Sequence, residues 1–392
     1  MRRSQGHMAA GSSDQDRFDA AHALWRQGRI SEAVRLLDDL THHHPDNAGL
    51  HSALGVCRFE SGDFAAARQA LERALALDPA QGVAAYNLAH LLLLQGDEER
   101  GLALYERRWD SFNRPAWHPP AELSWDGEAF DGTLLVLAEQ GFGDMIQFAR
   151  FLPLAAKRCR RLVLVVPPEL KRLLSLVPGV ALVVTTGEPL PSFDRFVMLM
   201  SLAYRMRIFG QERPRPPYLA ASSAKALPGS GFKIGLVWSG RVDDRHQKAR
   251  ALSLSQLAPF VANTADASFY SLQLGASGGE AADWPGPEPL ADLSAGMTDF
   301  EDTAALLAQI GLLICVDTAI AHLAGALGRP AFVLLPARAH WVWGLDDACS
   351  WYPSLRLFRA DAQGWERALT KLSAALSERV DSAAVRGYSP RN

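Results

Sequence analysis

Cysteine is scarce in this sequence, with four residues among 392 and no C-x-x-C pair. Thiols so few and so scattered disfavour a disulfide-rich secreted fold or a zinc site, and we expect them to be reduced in the cytoplasm. Long apolar runs are also missing, and the polar residues 1–15 hold no apolar segment, so neither a membrane span nor a signal peptide is expected. A net charge of −3 disfavours nucleic acid or an anionic membrane as the main partner.

The sequence does contain an internal repeat near its N-terminus. Matching residues recur at a spacing of 34: Gly28, Gly62 and Gly96; Pro45 and Pro79; Ala33 and Ala67; Leu37 and Leu71. The pattern resembles the tetratricopeptide repeat, in which each unit is a pair of helices. The resemblance predicts repeats over 14–47, 48–81 and 82–115, whose first helices end at the glycines, after a disordered tail at 1–13. The third repeat departs from the pattern because Gly101 stands where alanine is usual.

Alternating strands and helices are predicted beyond the repeats. Residues 116–130, with two prolines and two tryptophans, are predicted as a linker. Apolar strand runs separated by helical spacing follow over 131–220 and again over 221–378. Such alternation is typical of parallel sheets, so the predicted fold class is helical repeats followed by two Rossmann-like α/β domains. Residues 379–392 are predicted as a polar tail.

Two strand-to-helix turns are the candidates for function. In the first α/β half, an apolar strand is followed by Glu139-Gln-Gly-Phe-Gly-Asp144. In the second half, a strand ends in Asp317-Thr318-Ala319, and a helix of small residues follows. Ligands of open parallel sheets bind at the carboxyl ends of the strands, where helix N-termini present free N–H groups. The second turn therefore predicts an anionic ligand, of which a diphosphate is the usual one.

The order and separation of these turns resemble one family. Residues 137–145 are similar to the glycine–aspartate turn, and residues 317–324 to the Asp-Thr-Ala-x-x-His signature, of the ADP-heptose:lipopolysaccharide heptosyltransferases of glycosyltransferase family 9, which have the GT-B fold. With its repeats, the chain resembles bacterial two-part proteins, some of which glycosylate flagellin or other proteins, and its layout is distantly similar to O-GlcNAc transferase. The resemblance implies a nucleotide-sugar donor as substrate, no separate cofactor, transfer with inversion, and a protein acceptor held by the repeats.

For the first turn, the resemblance implies that Asp144 is the general base that takes the proton of the acceptor hydroxyl. A carboxylate exposed in a cleft can do this. Gln140, Gly141 and Gly143 would line the cleft, where the glycines let the backbone approach a sugar or phosphate and adopt unusual φ angles. The alternative role of Asp144 is a helix N-cap that binds the amides of the next turn. The two roles are compatible.

For the second half, the resemblance and the turn pattern together predict a donor site. The predicted donor-binding residues are Ser239, Gly240, Lys248, Gln273, Asp317, Thr318, Ala319 and His322. The amides of Thr318 and Ala319 would bind the phosphate, and Asp317 would fix the turn. His322 either reaches the phosphate or bonds to a neighbouring strand, and both possibilities stay open.

Breaking a glycosyl–phosphate bond without a metal requires cations near the departing phosphate. Arg250 is the best match to a lysine of the family and is predicted as a second catalytic residue, on a loop that also carries Arg245 and Lys248. The alternative is that this loop is only solvated. Related repeat proteins carry a lysine where Leu274 stands, which lowers the expectation of full activity. No Asp-x-Asp pair follows a predicted strand, so no essential metal is predicted.

Three functions are compatible with these observations. The first is a cytoplasmic glycosyltransferase that modifies a protein recruited by the repeats. The second is a non-catalytic adaptor whose transferase-like half has lost its chemistry. The third is a heptosyltransferase-type enzyme that acts on a lipopolysaccharide acceptor, for which a repeat domain is poor support.

Overall fold

The computed structural model describes residues 5–111, 119–222, 226–229, 231–240, 250–262, 264–361 and 363–385. The chain divides into two compact units, Met1–His118 and Pro119–Asn392. The first is helical and the second is α/β. Within the described ranges, no helix combines the length and the apolar character that crossing a membrane requires.

The described part of the first unit consists of helices that run in antiparallel pairs. They are α1 (Gln5–Arg26), α2 (Ile30–His43), α3 (Ala48–Ser61), α4 (Phe64–Leu77), α5 (Gly82–Leu94), α6 (Glu98–Tyr105) and α7 (Arg108–Ser111). Helices α1, α3 and α5 end at Gly28, Gly62 and Gly96, whose φ angles of 79°, 84° and 83° lie in the left-handed region. The predicted repeats are therefore confirmed.

Helix α1 begins at Gln5 and so extends into residues 1–13, which the sequence predicted as a disordered tail. The prediction overlooked that Met8, Ala9 and Ala10 are good helix formers directly before the first repeat. The N-terminal boundary of the helical unit therefore lies before residue 14.

Close contact between paired helices explains why glycine, and not the usual alanine of the repeat, stands at position 101. A Cβ atom on Gly101 of α6 would lie 2.7 Å from Cγ of Leu93 on α5. In the preceding repeat a similar contact runs from the first helix to the second, where a Cβ on Gly55 of α3 would lie 2.6 Å from Cγ of Leu71 on α4. Real Cβ atoms do not come so close, so glycine at these positions allows each pair to pack without a shift of its backbones.

The first lobe of the second unit is a parallel sheet in the order β3-β2-β1-β4. Its strands are β1 (Phe130–Leu137), β2 (Cys159–Val166), β3 (Val180–Thr185) and β4 (Arg195–Met198). Its helices are α8 (Phe142–Phe148), α9 (Leu152–Ala156), α10 (Pro168–Ser175) and α11 (Leu202–Met206). Helices α8 and α9 are not continuous, because Pro153 has no N–H to extend a helix and a 3-10 turn over Ala149–Phe151 separates them.

Part of the predicted linker at 116–130 belongs to this lobe. Trp125 is 1% exposed, its backbone N–H donates to the carbonyl of Phe196 at 2.8 Å, and its indole donates to the carbonyl of Glu128 at 2.8 Å. Burial of so large a side chain stabilises the lobe, so this segment is packed structure rather than a free connection. Residues 112–118 lie outside the described ranges.

The second lobe is a parallel sheet in the order β10-β9-β8-β5-β6-β7. Its strands are β5 (Phe232–Val237), β6 (Ala267–Ser271), β7 (Ala291–Asp292), β8 (Leu312–Val316), β9 (Ala331–Leu335) and β10 (Leu355–Arg359). Its helices are α12 (Leu254–Val261), α13 (Phe300–Leu307), α14 (Ala319–Ala326) and α15 (Glu366–Val385). Strands β5 and β8 are buried along their length, as expected for a parallel sheet covered on both faces. The predicted pair of Rossmann-like domains is confirmed.

Helix α15 corrects the predicted tail at 379–392, because residues 379–385 continue the helix. Leu372, Leu376 and Val380 recur at a spacing of four and are buried in the core of the second lobe. The apolar face of α15 therefore continues beyond residue 379, where the sequence predicted a polar tail.

Candidate active site

In the second lobe, the segment Ser239-Gly240 after β5 and the turn Asp317-Thr318-Ala319 after β8 meet at one edge of the sheet. Strands β5 and β8 are parallel neighbours, with Val237 opposite Cys315, so the turns that follow them lie side by side. A Cβ atom on Gly240 would lie 2.9 Å from Cγ2 of Thr318. The structure thus places Gly240 next to Thr318.

Thr318 is the N-cap of α14, with extended backbone. Its hydroxyl donates to the carbonyl of Val316 at 3.4 Å and makes no capping hydrogen bond. The first N–H groups of a helix have no partner within it, and here the cap residue supplies none. Thr318 and Ala319 are half-buried, so the amides of this turn are placed where an anion can bind.

Asp317 and Arg250 form an ion pair beside this turn. Nη1 of Arg250 lies 3.4 Å from Oδ2 of Asp317, whose side chain is 4% exposed. Arg250 is 36% exposed and keeps part of its guanidinium accessible. Asp317 therefore fixes the arginine at the mouth of the turn. Lys248 and Arg245, the other predicted cations, lie outside the described residues.

Gln273 holds the turn after β5 in place. Its Oε1 accepts the N–H groups of Trp238 and Ser239 at 3.0 and 2.9 Å, and its Nε2 donates to the carbonyls of Ser239 and Leu274 at 3.0 and 2.8 Å. An amide side chain has two donors and two acceptor sites, and all are used. The sequence predicted Gln273 as a donor-binding residue; in this structure its side chain has no free polar group for contact with a donor. We interpret it as a positioning residue.

Leu274 follows directly and is 52% exposed. The side chain that stands in place of the related proteins' lysine thus points into solvent at the carboxyl edge of β6.

Asp144 is the third residue of α8. Its Oδ2 accepts the N–H of Gly141 at 3.1 Å, so the carboxylate binds back to the N-cap residue at the start of the helix. Burial raises the pKa of Asp144 to about 6; the Gly141 hydrogen bond opposes this, and the negative charge of Asp317 adds to it. The side chain is half-buried. A carboxylate with a pKa near neutrality is suited to accept a proton.

The sequence predicted unusual φ angles at Gly141 and Gly143, and this detail is wrong. Gly141 has φ −84°, and the positive φ of the turn, 65°, falls on Gln140. Gly143 has a different requirement, since a Cβ there would lie 2.8 Å from Cδ2 of His322. Glycine at 143 thus allows α8 of the first lobe to touch α14 of the second.

His322 is 5% exposed, and its Nδ1 lies 3.1 Å from the hydroxyl of Tyr352. Its ring centroid lies 4.8 Å from that of Trp343. Burial, with smaller contributions from His340, Arg150 and Arg250, lowers the pKa of His322 to about 3. The imidazole is therefore neutral near pH 7, and it packs in the contact between the lobes.

His340 was not found by sequence reasoning. It follows β9, the neighbour of β8, so it lies at the same sheet edge as the Asp317 turn. Burial lowers its pKa to about 4, while Asp317 opposes the shift. Its position shortly after an apolar strand could have identified it as a candidate site residue, but the aromatic residues that follow it drew attention to packing.

Arg150 joins the lobes behind this site. It is 2% exposed and donates to the carbonyls of Pro214 and Trp351 at 3.3 Å and to the hydroxyl of Tyr218 at 3.1 Å. Its guanidinium also lies 5.1 Å from the ring centre of Tyr352, the partner of His322. Trp341, Trp343 and Trp351 are buried here.

A second contact joins the lobes at their rim. Arg172 of α10 lies 2.9 Å from Asp299, 2.8 Å from Glu301 and 2.9 Å from Asp302 at the start of α13. The rings of Phe142 and Phe300 are 5.1 Å apart. The glycine turn is therefore held against the second lobe on two sides. Among the described residues, no group of three or more His, Cys, Asp or Glu side chains is placed to hold a metal ion.

Comparison with known proteins matches this architecture. Residues 18–82 and 58–119 match models described as tetratricopeptide repeat, and residues 289–343 match the model of glycosyltransferase family 9 (heptosyltransferase). Protein FlbA of Caulobacter vibrioides is 27% identical over 439 residues, which cover 91% of this chain and 72% of FlbA.

Two solved structures are similar to the α/β part. ADP-heptose LPS heptosyltransferase II of E. coli is 14% identical and covers 66% of this chain and 100% of its own, with a TM-score of 0.47. The glycosyl transferase family 9 protein of Veillonella parvula is 10% identical and covers 67% of this chain and 99% of its own, with a TM-score of 0.46. The family models thus match tetratricopeptide repeats over residues 18–119 and a segment of glycosyltransferase family 9 (heptosyltransferase) over residues 289–343.

Proposed function

We propose that the second unit transfers a sugar from a nucleotide-sugar donor to a protein acceptor that the repeats recruit, with inversion at the anomeric carbon. The observation that supports the proposal is that the predicted base and the predicted anion-binding turn lie on the two helices that touch between the lobes. Asp144 of the first lobe lies in the first turn of α8, which touches α14 through Gly143 and His322, and α14 begins at the amide turn of Thr318. A base and an anion site thus belong to one junction.

The reaction follows from these groups. The Asp144 carboxylate takes the proton of the acceptor hydroxyl, whose oxygen attacks the anomeric carbon of the donor. The bond between that carbon and the phosphate oxygen breaks, and the electron pair leaves with the nucleotide. The amides of Thr318 and Ala319 and the guanidinium of Arg250 stabilise the added negative charge. One displacement with one base inverts the configuration.

No metal enters this scheme. Arg250 supplies a fixed positive charge in the place where a metal ion otherwise assists phosphate departure, and Asp317 orients it at 3.4 Å. The absence of a metal requirement is part of the proposal, and addition of EDTA to the transfer assay tests it.

Recruitment of the acceptor is proposed for the first unit. Stacked helical repeats form grooves that bind extended or helical segments of other proteins. A surface pocket of this unit is lined by Phe18, Leu40 and Leu50, with Asp14 and His44 among its polar residues. An apolar floor with polar surroundings is suited to a protein side chain, and flagellin is the first acceptor to test.

The test begins with the donor. Thermal shift of the full chain is measured with ADP-, GDP-, UDP- and CMP-sugars, where a ligand at a hundred times its Kd adds about 2.7 kcal/mol of apparent stability. Transfer to flagellin is then followed by intact mass, with Asp144→Asn as the variant that should bind donor and not transfer. Transfer that survives this substitution contradicts the assignment of the base.

A non-catalytic adaptor is the second candidate, favoured by one observation: the exposed Leu274 in place of a lysine. An adaptor requires no donor site, so the absence of a thermal shift with every nucleotide sugar would support it. Transfer to a lipopolysaccharide core in place of protein would instead support the heptosyltransferase-type alternative.

A further inference from the structure

Three buried side chains beside the lobe junction hold polar atoms that bond to nothing among the described residues. Gln147 is 0% exposed, and neither its Oε1 nor its Nε2 has a partner there. Trp343 is 0% exposed and Trp341 is 4% exposed, and the indole N–H of each is likewise unpaired within the described ranges. Native proteins satisfy the large majority of such groups, so three in one region point to a polar ligand.

These groups flank the contact between the glycine turn and α14. Gln147 lies three residues after Asp144 and four after Gly143, so the three share a face of α8. Gly143 touches His322, whose ring lies 4.8 Å from Trp343. On the other side, the ring of Phe148, next to Gln147, lies 6.5 Å from Trp341. Gln147 and Trp343 are thus linked through the Gly143–His322 contact between the lobes, and Trp341 lies beside Phe148, the sequence neighbour of Gln147.

The chemistry of the cluster differs from that of the phosphate site. An amide offers donors and an acceptor without charge, and the two indoles offer single donors beside apolar faces. Hydroxyl groups, which both donate and accept, match this set, whereas a phosphate requires the amides of Thr318 and Ala319 and the charge of Arg250. The cluster therefore has the character of a subsite for an uncharged polyol.

We propose that Gln147, with Trp343, binds the transferred sugar of the donor, the Gln147 amide pairing with its hydroxyl groups. This inference rests on the proposed transferase function and adds to it the residues that recognise the sugar. Because the side chains are enclosed in this structure, the sugar reaches them only when α8 and α14 separate. Its hydroxyls then supply the partners that the amide and the indole lack.

The test compares donors with and without the sugar. Kd is measured by calorimetry on the full chain for ADP-glucose, GDP-mannose, UDP-N-acetylglucosamine and CMP-N-acetylneuraminic acid, and for ADP, GDP, UDP and CMP. In Gln147→Met, which keeps length and removes both polar atoms, we expect the sugar nucleotide that binds the wild type to lose about tenfold in affinity. The matching nucleotide without the sugar should bind as in the wild type.

Two further variants complete the design. Trp343→Phe keeps an aromatic ring, removes the N–H, and should show the same selective loss. Gln211→Met, an exposed glutamine in the same unit, is the control and should change neither Kd. If Gln147→Met and Trp343→Phe leave the sugar nucleotide unaffected, or weaken both ligands equally, the subsite is overturned while the transferase function stands. If the wild type binds neither class of ligand, the proposed function fails, and the subsite fails with it.

Discussion

Replacement of Asp144 by asparagine should stabilise the protein at alkaline pH while it abolishes transfer. The folded state raises the pKa of this carboxyl from 3.8 to about 6. A raised carboxyl pKa means that the folded state binds the proton more tightly than the unfolded state, so stability falls as pH rises between these two values. At about 1.36 kcal/mol per unit of pKa, the full shift lowers the free energy of unfolding by about 3 kcal/mol once the pH is above 7. Solvent at this half-buried side chain makes that an upper limit.

Asparagine imitates the protonated acid, because it is neutral and its Oδ1 can still accept the Gly141 N–H. The free energy of unfolding of Asp144→Asn should therefore exceed that of the wild type by up to about 3 kcal/mol at pH 8 and by about half of that at pH 5. Scanning calorimetry of the full chain at both pH values measures the difference. Asp131→Asn, whose side chain is 87% exposed in the same lobe, is the matched control and should show no such trend.

The result that refutes the reasoning is an asparagine variant whose stability relative to the wild type does not depend on pH. A variant that is equally destabilised at both pH values would show that Asp144 is only a cap of α8. In the wild type, kcat/KM should fall tenfold for each pH unit well below 6, because only the ionised carboxylate accepts the proton.

Further predictions concern the turns. Arg250→Ala should lower kcat about 10²–10³-fold, as loss of one donor to a departing anion does, with Arg250→Lys recovering part of it in a steady-state assay. Gln273→Leu should destabilise the second unit by about 2–5 kcal/mol in calorimetry, since it leaves two buried N–H groups unpaired. Gly143→Ala should reduce transfer by displacing His322, whereas Gly296→Ala, which meets nothing within 4 Å, should be neutral in the same assay.

The parts of the fold that the sequence predicted depend on local, repeating signals. Gly28, Gly62 and Gly96 mark helix ends by backbone conformation alone, and the apolar runs of β5 and β8 mark buried strands by their length. Such signals need no knowledge of the rest of the chain. The turns at 317–319 and at 139–144 were located for the same reason.

What the sequence could not provide depends on contacts between distant segments. The roles of Gln273 and Gly143 are set by Trp238 and His322, which are remote in the chain, and no local pattern records such a pairing. Trp125 was assigned to a linker because neighbouring prolines dominate its segment, although its indole and backbone bond within the lobe. His340 escaped notice because strand order, which places β9 beside β8, is a property of the folded sheet.

The choice between enzyme and adaptor can be argued from stability. Gln147 is buried without a partner in the described chain, and Asp144 is kept ionised above pH 6 where burial opposes its charge. Each arrangement lowers the stability of the ligand-free protein, by about 1–3 kcal/mol for an unpaired buried amide. A protein that acted only through its repeats would gain nothing from either, because an apolar side chain at 147 and a neutral one at 144 would fold better. Groups that are costly without a ligand and lie together at one junction are those expected of a site that binds one. Stability measured without and with a nucleotide sugar therefore separates the two functions.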